Sequence, residues 1–189
     1  MAKPTADTLA AAAKAASTKG LPPVHLWNPP FCGDIDMRIA RDGTWFYLGT
    51  PIGRAPMVKL FSSILKREGD SYFLVTPVEK VGITVDDAPL LAVDFDATGT
   101  GQTQTLTFTT KTEDSATAGP DHPLRVDRAA DGEPSPYVLI RSNLWALIDR
   151  KSFYRLVELG RHEPHQGASW FGLWSQGVFF PVILSSELP

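Results

Sequence analysis

The residues with most chemistry to offer stand close together in the run FCGDIDMRIARDGTWFYLGTPIGR, from Phe31 to Arg54. Asp34, Asp36 and Arg38 fall on one alternating stretch, and Trp45 and Tyr47 on the next. Carboxylates accept hydrogen bonds from hydroxyl groups, an arginine fork grips a phosphate, and aromatic rings stack on a base. Further along, Gly49 and Gly53 free the backbone just before a predicted helix, with Arg54 at its start. Unpaired N–H groups and the helix dipole favour an anion there. A cation at that position is electrostatically misplaced unless an anion or a carboxylate compensates it. Asp34, Asp36, Arg38, Trp45, Tyr47 and Arg54 are therefore the expected ligand-binding residues. The structural alternative is a packing face, with Arg38 paired to Asp36 or Asp34 and stacked on Tyr47.

Catalytic and metal chemistry find less support. The phosphate-loop spacing GxxxxGK[ST] is absent, as is the nucleophile elbow GxSxG. His162 and His165 flank Glu163 in HEPH, which is not HExxH, and Pro164 opposes the helix that would align them. His25 and His122 are isolated. Cys32 lacks a local histidine partner and is expected to be a buried structural thiol. The carboxylate pairs Asp34/Asp36, Asp86/Asp87 and Asp94/Asp96 could imitate an acid–base pair. Two of those pairs fall in an acidic block in which only Lys111 opposes Asp86, Asp87, Asp94, Asp96, Glu113, Asp114 and Asp121. That block reads as solvated surface. No catalytic residue, metal or cofactor is expected.

These side chains must be positioned by a strand-rich framework. Asp42-Gly43 between alternating residues predicts a hairpin closed by a two-residue type I′ turn. That register places Ile39 opposite Phe46 and Met37 opposite Leu48 on the core side. Arg38 then faces Tyr47, Ala40 faces Trp45, and Asp36 faces Gly49 on the other side. Met57, Leu60, Phe61, Ile64 and Leu65 form one stripe of a helix, with Pro56 in its first turn and Gly69 at its end. SYFLVTPVEKVGITVDD reads as strand, turn, strand.

The same order returns near the C-terminus. PYVLIRSNLWALI is a hairpin around Ser142-Asn143, apolar on both faces and so buried on both. Its expected register sets Ile140 against Trp145 and Val138 against Leu147. A short helix follows, N-capped by Asp149, with Phe153, Leu156 and Val157 on one stripe and Gly160 past its end. ASWFGLWSQGVFFPVIL turns at Gln176-Gly177. Trp145, Trp170 and Trp174 are expected in core packing. The expected class is α+β, a duplicated β-turn-β-α-β-turn-β module with the C-terminal half larger. Residues 1–20 form an alanine-rich lead-in, helical or frayed; 21–84 form the first half and 85–189 the second.

Of 189 residues, 43% are hydrophobic and 21% charged, a globular balance. The net charge of −3 gives no basic surface for nucleic acid. No apolar run approaches the roughly 20 residues needed to span a bilayer, and the N-terminus lacks the large apolar core of a signal peptide. One cysteine precludes an intrachain disulfide and fits a reducing cytoplasm.

The run WNPPFCGDIDMRIARDGTWFYLGTPIGR, then LFSSIL and YFLVTPVEKVGITVDDAP, resembles a bacterial family catalogued as domain of unknown function 1285. The resemblance extends from about Leu21 onward and is most specific from Trp27 to Pro89. It implies a duplicated core and a superficial pleckstrin-homology likeness in the C-terminal half. It also implies a site between the halves suited to a nucleotide-like molecule, with a role in signal transduction. The expected function is a ligand-binding, regulatory protein. The alternative is a protein-interaction module of pleckstrin-homology type with a protein partner and no small ligand.

Overall fold

In the computed structural model, which describes residues 3–17 and 19–188, the chain divides after Pro89 into two compact units. The first unit begins with α1 (Ala6–Ala16), whose Thr5 and Thr8 cap each other's backbone N–H groups. Leu9 and Ala13 bury its apolar side, and the helix packs against α2. Helix α1 is thus part of the first unit's core.

Six strands form the first sheet: β1 (Phe31–Ile39), β2 (Trp45–Tyr47), β3 (Thr50–Pro51), β4 (Leu65–Glu68), β5 (Ser71–Val75) and β6 (Lys80–Val85). Their order is β3-β2-β1-β6-β5-β4, two antiparallel meanders joined by the parallel pair of β1 and β6. The link between meanders is α2 (Ala55–Ser63), with Pro56 in its first turn as expected. The helix ends earlier than its apolar stripe suggests. Ile64 and Leu65 are buried, but Leu65 already pairs with Leu74 in the sheet. Gly69 turns the β4–β5 hairpin at φ 61° rather than stopping the helix. Cross-strand pairing satisfies the backbone of Leu65–Glu68, which overrides local helical periodicity.

The second unit holds β7 (Leu90–Thr98), β8 (Thr105–Thr110), β9 (Ser115–Thr117), β10 (Leu124–Arg128), β11 (Pro134–Arg141) and β12 (Leu144–Ile148). Their order, β10-β11-β12-β7-β8-β9, again sets two meanders around a parallel pair of first and last strands. The fold is therefore α+β with two similar six-stranded sheets, but the repeat is phased differently from the expected one. β1–β6 matches β7–β12. The hairpin β11–β12 does not share a sheet with the later hairpin. After α3 (Arg150–Glu158), the strands β13 (Arg161–His165), β14 (Ala168–Ser175) and β15 (Val178–Leu184) form a third, three-stranded sheet. Element order along the chain cannot report which strands pair, because pairing is a long-range choice.

Local signals in the second unit are met. Asp149 caps α3 by accepting from the Ser152 N–H at 2.8 Å. Gln176-Gly177 closes β14–β15, both residues at positive φ. The β11–β12 register, however, slips by one residue at an irregularity between Leu139 and Arg141. Leu139 opposes Trp145, and Val138 opposes Ala146. Val138, Ile140 and Ala146 are buried, while Leu139 and Trp145 are half-buried. Trp145 is correspondingly no core residue; the Arg125 guanidinium lies 4.4 Å over its ring and 5.1 Å from that of Tyr137. Val157 is exposed and leaves Leu156 to anchor α3. Among the described residues, no helix is long and apolar enough to cross a membrane.

Candidate functional site

The geometry of the first hairpin is set by its turn. Gly43 N–H donates to the Ala40 carbonyl and Ala40 N–H to that of Thr44, with Gly43 at φ 78°. The Asp42 carboxylate accepts from Thr44 N–H at 2.9 Å. This is a three-residue loop, Arg41-Asp42-Gly43, ending in a left-handed glycine, rather than a two-residue type I′ turn. The extra residue shifts the register, so Met37 opposes Tyr47, Arg38 opposes Phe46 and Ile39 opposes Trp45. A one-residue slip sends every side chain of a strand to the other face.

Trp45 therefore lies in the core and not on the outer face: it is 2% exposed and stacked on Phe61, ring centroids 6.2 Å apart. Tyr47 shares that side, half-buried opposite Met37. The ring on the outer face is Phe46, with the Arg38 guanidinium 4.5 Å above its centroid. Arg38 donates to the Asp86 carboxylate, not to Asp34 or Asp36. Asp36 is exposed, and its carbonyl accepts from Leu48 N–H.

Asp34 lies at a different place on that face. The parallel pairing of β1 with β6 is broken by two irregularities, and Gly33, at φ 94°, takes up an extra residue in the first. The result sets Asp34 opposite Gly82. The carboxylate lies over the bare glycine backbone: a Cβ on Gly82 would stand 1.9 Å from Asp34 Oδ1. Register extends this into a row across four strands, Lys66 opposite Phe73, Phe73 opposite Gly82, and Gly82 opposite Asp34. Phe31, 55% exposed, meets the Phe73 ring edge-on at 6.0 Å. Lys80 Nζ stands 4.9 Å over the Phe73 ring and donates to Glu68 Oε2 at 2.9 Å. Lys66 Nζ reaches Glu68 Oε1 at 3.3 Å and the Trp27 carbonyl. The Lys80 hydrogen bond, with Lys66 assisting against some desolvation, holds the Glu68 carboxyl below its ordinary range.

These residues line an open surface cleft of about 470 Å³, with Phe31, Asp34, Phe73, Lys80, Gly82 and Thr84 among its walls and Asp34 exposed to solvent. Its size is in the range of small-molecule sites. Asp34 makes no side-chain hydrogen bond or ion pair with any described residue. Every lining residue belongs to the first unit.

Arg54 is not part of this cleft. It is the N-cap of α2, exposed, and lines a separate groove of about 760 Å³ with Asp7 and Lys14 of α1. The six expected residues thus separate. Asp34 enters the cleft, Arg38 stands on the hairpin's outer face, Asp36 is exposed, Trp45 and Tyr47 turn inward, and Arg54 caps a helix. Sequence reasoning missed Phe31, Phe73, Lys80 and Gly82. Only Gly82 carried a signal, since a glycine inside an alternating strand marks close approach by another group.

The remaining reactive residues are otherwise engaged. Cys32 is exposed rather than buried, its thiol donating to the Pro30 carbonyl. His162 Nδ1 lies 2.8 Å from Ser185 Oγ, and His122 Nδ1 3.0 Å from the Leu139 carbonyl. Among the described residues, no group of three His, Cys, Asp or Glu could hold a metal.

Residues 22–88 match the family described as Domain of unknown function (DUF1285), N-terminal domain, and residues 89–182 the one described as Protein of unknown function (DUF1285), C-terminal domain. The chain belongs to the DUF1285 family. A crystal structure of a DUF1285 family protein from Silicibacter pomeroyi DSS-3 is 64% identical, covering 95% of this chain and 96% of that one with a TM-score of 0.87. Another, from Shewanella baltica OS155, is 35% identical and covers 65% of this chain and 90% of that one, TM-score 0.52. No curated protein matches.

Proposed function

We propose that this DUF1285 protein is a ligand-binding, regulatory protein whose first unit takes a small molecule on the outer face of its sheet. The observation that carries the reading is Asp34. Its carboxylate lies over a glycine in a cleft of about 470 Å³, with no partner among the described residues. The group is exposed to solvent and has both oxygens available to accept hydrogen bonds from a ligand in place of water. Phe31 and Phe73 supply apolar surface for the rest of the molecule. A nucleotide-like ligand meets these terms with ribose hydroxyls on Asp34 and a base against the phenylalanines, and a signalling role follows if binding alters partner contacts.

The test is a thermal-shift and calorimetric screen of the full chain against nucleosides, nucleotides and amino acids, in wild type, Asp34→Asn and Gly82→Ala. A bound ligand at about a hundred times its dissociation constant stabilises by about 2.7 kcal/mol. Loss of that shift in Asp34→Asn supports the site. An equal shift in all three proteins overturns its placement, and no shift for any compound overturns the small-molecule reading. A protein-interaction module is the second reading, favoured by exposed Leu26, Phe31 and Val78 in the first unit.

A further inference from the structure

We infer that the cleft on the first sheet is built for a zwitterion with an apolar side chain, a free amino acid in chemical class. The inference rests on the small-molecule reading above and sharpens it. Its basis is the distribution of charge along the row Lys66, Phe73, Gly82, Asp34.

Asp34, opposite Gly82 in the cleft, is an exposed carboxylate without a partner among the described residues. Lys80, which lines the cleft, and Lys66 share a single carboxylate, each on its own oxygen of Glu68. Two ammonium groups on one glutamate leave one unit of positive charge. Lys80 has three donors, of which Glu68 takes one, and it lines the cleft. Asp34 and Lys80 are on the same face of adjacent strands yet form no ion pair with each other; Lys80 pairs with Glu68 instead. Asp34 stands opposite Gly82, and Gly82 is two residues from Lys80 along β6, about 6.6 Å at a strand's rise. Asp34 itself covers the bare backbone of Gly82, and the Phe31 and Phe73 rings lie beside it.

A ligand ammonium on Asp34 and a ligand carboxylate on Lys80 would balance both charges. A side chain such as leucine or phenylalanine would lie on the two rings. Arg38 on the neighbouring hairpin is already bonded to Asp86, and Lys80 is the cation among the residues that line the cleft. The glycine is essential to the geometry, since a Cβ there would displace Asp34.

The experiment is isothermal titration of the full chain with L-phenylalanine and L-leucine, and with their N-acetyl and C-amide derivatives. Uridine and uridine monophosphate form a second arm, and each ligand is run on wild type and Asp34→Asn. Binding of the free amino acid, with a loss of about tenfold or more on either blocking and on Asp34→Asn, is the expected result. Asp34→Asn should leave the N-acetyl form unaffected, since that form has no cation to lose. Equal binding of free and N-acetyl forms overturns the inference. Binding of uridine but not amino acids, sensitive to Asp34, overturns the zwitterion and leaves the cleft standing. Silence in both arms overturns both. Far-UV circular dichroism of Asp34→Asn shows that the variant is folded, and Lys80→Met gives a second variant that removes the opposite charge.

Discussion

Trp45 and Phe46 are neighbours in sequence, and the register of the first hairpin assigns them opposite costs. Trp45 is 2% exposed and stacked on Phe61. A buried tryptophan removes about 200 Å² from water, worth about 5 kcal/mol at 25 cal/mol/Å². Truncation to alanine in a core costs about 3–5 kcal/mol once partial collapse is allowed. Phe46 is half-buried on the outer face, where its distinct contact is the Arg38 guanidinium. Losing that contact and some apolar cover costs about 1 kcal/mol. Trp45→Ala should therefore be less stable than Phe46→Ala by about 3 kcal/mol. Urea unfolding followed by far-UV circular dichroism measures the difference, read from the transition of the first unit because two units need not unfold together. The two-residue turn suggested by Asp-Gly would reverse the order. A Phe46→Ala cost equal to or above that of Trp45→Ala would refute both the three-residue loop and the face assignment built on it.

Three further outcomes can be checked in the same way. Arg141→Ala should cost about 3 kcal/mol, because it strips the partner at 3.0 Å from the largely buried Asp114, leaving only the Thr110 and Thr112 hydroxyls; a change under about 1 kcal/mol in urea unfolding would contradict this. Gly160→Ala should cost about 1–3 kcal/mol, since its Cβ would come within 2.0 Å of the Phe171 ring; differential scanning calorimetry showing an unchanged midpoint would argue that the ring moves freely. Glu68 has a lowered pKa, chiefly from the Lys80 hydrogen bond, so its contribution is present above the ordinary glutamate value of about 4.3 and is lost as pH falls through the folded value. Glu68→Gln should be less stable than wild type at pH 7, by under about 1 kcal/mol for so exposed a group, with the gap narrowing as pH falls below the ordinary glutamate range; a constant gap would refute the linkage.

The sequence made several elements of this fold legible for local reasons. Asp149 and Pro56 mark helix starts because capping and the missing proline N–H act within one turn. Gln176-Gly177 marks its hairpin because glycine takes positive φ without a Cβ penalty. Strand existence was legible from alternation, and the identity of the family from Trp27 to Pro89. Of the candidate site, Asp34 was readable as an outward carboxylate on β1. Its true surroundings were not, since Phe31, Phe73, Lys80 and Gly82 come from three strands that no local rule pairs.

Residue types and short-range geometry therefore determined that this chain forms an α+β protein of two β-rich halves, with acidic side chains on its first strand and aromatic ones on the second. Tertiary structure alone decided parity and pairing. One extra loop residue at Asp42-Gly43 exchanged Trp45 for Phe46 on the outer face, and two irregularities in β1 carried Asp34 over Gly82. Both depend on which hydrogen-bond ladder is satisfied across distant strands. That choice is made by the burial of Trp45 and the backbone's demand for partners, neither of which is written in any short stretch of sequence.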